Sequence, residues 1–344
     1  MCVLVFCVFT FCYLFFYQAD LLYVEQHMLS GGATTYERTV GAVIITLVLQ
    51  LLQVGVATLT RLGRGAHFLT YFPSLLLLTV LTNYAPGDDG RFTFGCWLWA
   101  APIALVVYVL LIALVRPLSL FNTGHTPPWG NLLGMTVMTA LAGLLGNGDA
   151  LLHYRAGMER CIMRRAYAEA LTIGTTTADV GLTMLRACAL AEQGLLGERL
   201  FEYPLSPAAT AADLQEGPVY MLPRQTILTT ANRHAADYKR CMCLIDGNLD
   251  TFAHLMVQDT LYNTGGDTLS NVALMPKHYR EALILYTHMR STPMAVCRDE
   301  VLDADYEDFT HLLRSGDERL AATYAGTYWY YYNCVLSRQQ RNKR

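Results

Sequence analysis

Charge is what this sequence has little of. Of its 344 residues only 15% are Asp, Glu, Lys or Arg, against roughly 25% in an ordinary soluble domain. Scarce charge with abundant apolar residues excludes intrinsic disorder, which needs low hydrophobicity and high net charge. It also argues against a single soluble globule. The formal net charge of -3 excludes a strongly basic nucleic-acid binder. Short catalytic and phosphate-binding motifs are missing too: there is no P-loop, G-x-G-x-x-G, H-E-x-x-H or G-x-S-x-G. No cofactor is therefore expected. A secretory leader needs a basic start and a small-x-small cleavage site. Here Cys2-Val3-Leu4-Val5-Phe6 follows Met1 at once, and Tyr17-Gln18-Ala19-Asp20 offers no such site. The first apolar run reads as an uncleaved span, and its abrupt start predicts a true start further upstream.

What is present is unevenly spread. Hydrophobic residues make up 53% of the chain. Residues 1–147 hold five basic residues (Arg38, Arg61, Arg64, Arg91, Arg116) and five acidic ones (Asp20, Glu25, Glu37, Asp88, Asp89). Residues 148–344 hold 20 basic and 23 acidic residues. The first part is about 7% charged and the second about 22%, close to an ordinary soluble domain. The expectation is a transmembrane region over 1–147 and a soluble α-helical domain over 148–344.

Five apolar runs, at about 2–17, 40–60, 66–83, 93–115 and 129–147, are the expected spans. About 20 helical residues cover the ~30 Å hydrocarbon core. Charges fall in the gaps between runs, and Tyr71, Tyr84, Trp97, Trp99 and Trp129 lie near run ends, where aromatic rings favour the interface. The plainer alternative is a set of buried helices in a large soluble core. No Asp, Glu, Lys or Arg lies inside a run. Intramembrane ionisable residues mark ion and proton pathways, so a pump or secondary transporter is disfavoured. Gln50 and Gln53 read as interhelical hydrogen-bonding groups. Pro73 and Pro102 are candidate kinks.

Five spans put the termini on opposite sides. Counted literally, the arginine rule favours a cytoplasmic tail, with Arg155, Arg160, Arg164 and Arg165 just after the fifth run. The dense basic gap Arg61–Gly65, and a basic segment upstream of Met1, point the other way. The expectation is a bacterial inner-membrane protein with the tail outside the cytoplasm, the cytoplasmic tail being the alternative. The six tail cysteines, Cys161, Cys188, Cys241, Cys243, Cys297 and Cys334, would permit disulfides outside. They read more simply as small buried apolar residues.

The tail reads as paired helices. Ala178–Gln193 has Leu182, Leu185, Ala189 and Leu190 at helical spacing, Asp179 as N-cap and Gly194 as stop. With Arg164–Thr172 before it and a further helix from Gly197, it resembles a tetratricopeptide hairpin. Gln225–Asp246 and Leu249–Asn263 form a second pair around Asp246-Gly247-Asn248. His278–Arg290 follows Pro276, and Asp303–Arg314 pairs with Asp317–Tyr332 across Ser315-Gly316. Loops are expected at Pro204–Pro223 and Thr264–Met275.

Several groups are candidates for function. Glu25 beside His27 could do acid/base work, or form an interfacial polar patch. Asp149 and His153, spaced i, i+4, could share a helix face, though no third metal ligand is near. Cys241 and Cys243 lack redox or zinc spacing. Asp303–Asp308 lacks the glycine of a calcium loop and fits an acidic helix start. Tyr324–Tyr332 is densely aromatic; Tyr328 and Trp329 are open to three readings, as core, membrane contact or ligand platform. The basic end Arg338–Arg344 is a solvated tail or an attraction to anionic lipid.

Three stretches carry a resemblance: Gly194–Tyr203, Leu274–Tyr286 and Gly326–Tyr332. Together with Glu25-Gln26, they are similar to an uncharacterised domain-of-unknown-function family of Bacteroidota multi-pass membrane proteins. Pro276-Lys277-His278-Tyr279-Arg280-Glu281-Ala282-Leu283 and Thr327-Tyr328-Trp329-Tyr330-Tyr331-Tyr332 are the most specific. The resemblance implies an all-α architecture, a membrane bundle with a tetratricopeptide-like tail. It implies no reaction. The expected function is a membrane protein whose helical tail binds a protein or envelope component, with the lipid bilayer as its other partner. The alternative is a membrane enzyme or accessory subunit of envelope glycan or lipid assembly, with Glu25, His27 or Asp149 near the substrate headgroup.

Overall fold

The computed structural model describes residues 1–86, 91–115, 128–206, 210, 219–222, 235–259, 262 and 272–337. Asp88, Asp89, Arg116, the basic end Arg338–Arg344, and most of the expected loops at Pro204–Pro223 and Thr264–Met275 lie outside the described residues. So does 225–234, the first part of the helix expected over Gln225–Asp246. The chain is all-α; the described strands are one antiparallel pair, Ala85–Pro86 with Phe92–Thr93. Two compact units, Met1–Ala156 and Gly157–Arg344, divide it.

In the first unit α1 (Cys2–Cys12) runs on through a π-helical turn, Tyr13–Tyr17. The chain then bends by 76° into α2 (Ala19–Leu29). The bend is pinned at Gln18, which is fully buried and donates to Tyr13 Oη at 2.8 Å and to the Asn147 carbonyl at 3.1 Å. Gly31 and Gly32, both at positive φ, turn the chain towards α3 (Arg38–Thr60). Glu37 starts α3 by accepting from the Val40 N–H at 2.6 Å. Arg61, in the left-handed region at φ 49°, stops it. A 3-10 stretch, Arg64–Tyr71, leads into α4 (Phe72–Leu81), with Pro73 in the first turn, where a missing N–H costs nothing. Next come α5 (Trp97–Val115), with Pro102 inside it, and α6 (Pro128–Leu145).

Two helices, Arg38–Thr60 and Trp97–Leu114, are long and apolar enough to cross a membrane. The number rises to four if each of two bent pairs is one span: Cys2–Tyr17 with Ala19–Leu29, and Trp129–Leu145 with Ala150–Met163. The structure therefore gives two to four candidates where five runs were read. The 66–83 run supplies only the shorter helix Gly65–Leu81. The reason is local: 3-10 turns take up the start of the 66–83 run, and the first and fifth runs end at bends, at Gln18 and after Gly146, that join each to a further helix.

This unit exposes aliphatic helix faces and buries hydroxyls and amides beside an apolar interior that includes Phe6, Leu14, Leu49, Leu78 and Met135. Leu47, Val48, Leu51 and Val54 of α3 and Ile103, Val106, Val109 and Leu110 of α5 are exposed. Thr10, Thr46, Gln53, Ser74, Thr79 and Thr139 are buried. The buried groups join helices: Gln53 donates to Thr70 Oγ1 at 2.8 Å, and Ser74 to the Leu49 carbonyl at 2.8 Å. Gln50 in turn donates to Gln53 Oε1 at 2.9 Å. Asn83 Nδ2 reaches the Leu145 carbonyl at 2.9 Å.

α7 (Ala150–Met163) spans the division between the units. The second unit continues with α8 (Tyr167–Ala170), α9 (Val180–Glu192) and α10 (Leu196–Arg199), followed by the 3-10 turn Leu200–Glu202. Asp179 caps α9 by accepting from the Leu182 N–H, and Gly194 follows it at φ +70°. Then come α11 (Ala235–Ile245), α12 (Leu249–Gln258), α13 (Lys277–Met289) and α14 (Glu300–Ser315). Asn248 caps α12 through the Thr251 N–H, and Gly316 closes α14 in the left-handed conformation. The last expected helix, Asp317–Tyr332, is broken into α15 (Arg319–Tyr324), α16 (Tyr328–Tyr330) and a π-helical end, Tyr331–Leu336. Thr327 makes the break, since its side chain restarts the helix by accepting from the Tyr330 N–H.

Candidate functional site

The first unit holds a cavity of about 360 Å³ between the end of α2, the turn after it, the start of α3 and the end of α4. Its apolar walls are Leu22, Leu29, Ile45 and Leu81. Its polar lining is Glu25, Gln26, Ser30, Thr34 and Tyr36. The rim is internally bonded: Gln26 Nε2 donates to Thr34 Oγ1 at 3.0 Å, and the Thr34 N–H to Ser30 Oγ at 3.1 Å. Glu25 is different. It is only 5% exposed, and no described group hydrogen-bonds or pairs with its carboxylate. Across the cavity Tyr36 packs its ring on Gly41, where any Cβ would enter the ring. Its hydroxyl is buried without a hydrogen-bond partner. Burial pushes the Tyr36 phenol up to about 12, so it stays protonated.

His27, two residues from Glu25 on the same helix, turns away. Its ring lies against Gly32, where an added Cβ would sit 3.3 Å from Cε1, and its Nδ1 is buried without a partner. Asp149 and His153 do not line the cavity. Asp149 accepts from the Leu151 and Leu152 N–H groups at 2.9 and 3.4 Å and so starts α7. The His153 Nε2 lies 3.1 Å from the Asn147 carbonyl, with Tyr17 against its ring. Of the four candidates in this unit, Glu25 lines this cavity and His27, Asp149 and His153 do not. The sequence reading missed Tyr36 and Thr34 there. Their signal was weak: an aromatic and a hydroxyl just after a Gly-Gly turn.

The tail candidates are core residues. Tyr328 is fully buried and Trp329 is 1% exposed. Both are tied to Glu281, which is itself 1% exposed. Its Oε2 accepts from the Tyr328 N–H at 2.7 Å and lies 2.9 Å from His278 Nδ1. Its backbone carbonyl accepts from Trp329 Nε1 at 2.7 Å. Tyr328 Oη donates to the Leu244 carbonyl and Tyr331 Oη to that of Ile245, which fastens the aromatic end to α11. Burial holds the Tyr328 phenol well above its usual range. Phe201 presents its edge to His278 and Tyr328, with centroids at 5.2 and 5.0 Å. Glu198 accepts from the Lys277 N–H at 2.7 Å and so caps α13. Gly197 lies against Tyr279 and Pro276, where a Cβ would stand 2.7 Å from the ring. The three stretches that carry the family resemblance thus converge on one core. His278 and Glu281 were the residues missed here; their i, i+3 spacing on an otherwise apolar face was the signal.

Other buried charges in this unit also serve backbone. Arg186, fully buried, donates to the carbonyls of Gly174, Thr177 and Pro204. Desolvation lowers its pKa. Glu159 accepts from the N–H groups of Tyr220 and Met221 at 2.8 and 2.7 Å. Cys241 is buried and Cys243 half-buried, on different sides of α11, and burial pushes the Cys241 thiol up to about 12. Among the described residues no group of three His, Cys, Asp or Glu side chains could hold a metal ion.

These features describe an all-α protein whose N-terminal unit exposes aliphatic helix faces and whose tail buries charges against backbone and side-chain partners. Residues 220–334, about a third of the chain, match the model of a family of unknown function, DUF6057. No curated protein and no solved structure matches the chain.

Proposed function

We propose that this is an integral protein of the bacterial inner membrane, with its apolar runs in the bilayer and its tail serving as a binding module. The observation that carries the membrane reading is the aliphatic exterior of the first unit. Exposed leucines and valines on α3 and α5, around buried glutamine, serine and threonine, suit a hydrocarbon solvent and would be costly in water. The five-run topology with an extracytoplasmic tail is the arrangement proposed. Alkaline carbonate extraction of membranes tests the first step: the protein should stay in the pellet, and release into the supernatant overturns the reading.

The tail is assigned to binding a protein or envelope component rather than to chemistry. The support is that Glu281, His278, Arg186 and Glu159 are engaged inside the fold. Helix-pair architectures offer extended surfaces suited to binding. Crosslinking of the intact protein in membranes, followed by affinity capture, should recover a defined partner. Accumulation of a lipid-linked intermediate in membranes lacking the protein, with no partner captured, would favour the enzyme or accessory-subunit alternative.

A further inference from the structure

The cavity beside Glu25 has the chemistry of a ligand site, because its one acidic residue is 5% exposed and has no hydrogen-bond or ion-pair partner among the described residues. An ionised carboxylate without a partner in such surroundings is costly. A cationic ligand removes that cost, and an anionic one raises it. A metal ion is disfavoured, since one carboxylate is not a cation cage. A quaternary ammonium usually takes a cage of aromatic faces, and the cavity offers only the Tyr36 ring. An ammonium with N–H groups fits better. It can donate to Glu25 and to the acceptors at the rim, the Gln26 side-chain carbonyl and the hydroxyls of Ser30 and Thr34.

The remaining walls, Leu22, Leu29, Ile45 and Leu81, are apolar. At about 360 Å³ the cavity lies within the range of small-molecule sites. It sits beside the start of α3 and the end of α4, at the level where a bilayer meets water if these helices span it. We propose that it binds an amphiphilic primary amine, the ammonium on Glu25 and the alkyl portion against the leucine and isoleucine walls. The amphiphilic part of this inference rests on the membrane reading above; carbonate extraction tests that reading separately.

The full-length protein in phosphatidylcholine nanodiscs is titrated with n-decylamine, n-decyltrimethylammonium and n-decanol, and binding is read by native mass spectrometry. One decylamine should bind saturably, at least about tenfold more tightly than either comparator. Glu25→Gln keeps the shape and should weaken decylamine by about tenfold or more. Leu29→Trp, at a side chain that is 62% exposed, narrows the mouth and should weaken it too. That variant decides the matter if the first fails to fold. A second arm adds phosphatidylethanolamine to the nanodiscs. Displacement of decylamine identifies a lipid headgroup as the source, and no displacement identifies a free amine; either supports the site. Equal binding by decanol, unchanged affinity in both variants, or no saturable binding overturns it.

Discussion

The two units of this chain differ in what they expose. In the first, long aliphatic faces lie outside, while amides and hydroxyls join Phe6, Leu14, Leu49 and Leu78 inside. In the second, Leu182, Leu185, Phe252, Leu283 and Phe309 are buried, as in any water-soluble core. Yet the second unit also buries charges: Arg186 and Glu159 are 0% and Glu281 is 1% exposed, against 5% for Glu25 in the first. Each has backbone or side-chain partners, whereas Glu25 has none among the described residues. A buried charge with partners is part of the architecture, whereas burial pushes the unpartnered Glu25 carboxyl up to about 8, so that a bound cation would favour its ionised form.

The largest expected effect lies at the best-satisfied charge. Glu281→Ala leaves the Tyr328 N–H and His278 without their acceptor. It should cost about 3–5 kcal/mol of tail stability, read as loss of near-ultraviolet circular dichroism and rapid proteolysis of the tail. Full retention of both signals would mean that the polar knot is dispensable.

The sharpest contrast between the units comes from two equally exposed side chains. Leu51 on α3 and Val301 on α14 are each 71% exposed. If the first unit faces lipid, Leu51→Lys should cost about 2.5–3.5 kcal/mol of membrane insertion. Val301→Lys, facing water, should change stability by no more than about 0.5 kcal/mol. Insertion reporters for the first and thermal melting for the second measure the pair; equal tolerance would erase the distinction.

Smaller still is the interior of the bundle. Gln53→Leu removes the hydrogen bond to Thr70 and should cost about 0.6 kcal/mol of helix association in lipid, measured by unfolding in mixed micelles. An effect several times larger would show that the amide network dominates packing.

The weakest effect is at the surface. Arg319 hydrogen bonds hold the exposed Asp317 carboxyl down at about 2, against about 3.9 in an unfolded chain. A carboxyl lowered on folding stabilises the fold above its unfolded value, and that contribution is lost as pH falls from about 4 through about 2. Arg319→Gln should return the carboxyl towards its usual range, read by carbon NMR of labelled aspartate. An unchanged titration would remove Arg319 as the cause.

Much of the local structure was legible. Asp179, Gly194, Gly247 and Gly316 mark helix ends because caps and left-handed turns act over a few residues. The charge-poor half of the chain was equally plain. The bends were not: nothing in Tyr17-Gln18-Ala19 announces a 76° turn, which depends on Gln18 reaching Asn147, 129 residues away. Asp149, whose side chain serves the start of α7, and Thr327, which splits an apparently continuous aromatic helix, are short-range caps of the same kind as Asp179 that the reading passed over.

By itself the sequence determined the helical class, the division into a charge-poor and a charged part, and most helix ends, because periodicity, composition and capping are short-range properties. Only the tertiary structure decided which side chains meet. Glu281 reaches Tyr328 across 47 residues, and Glu25 borders a cavity with Tyr36 while His27 does not. Such pairings depend on how distant segments pack, and packing is set by the whole chain folding at once.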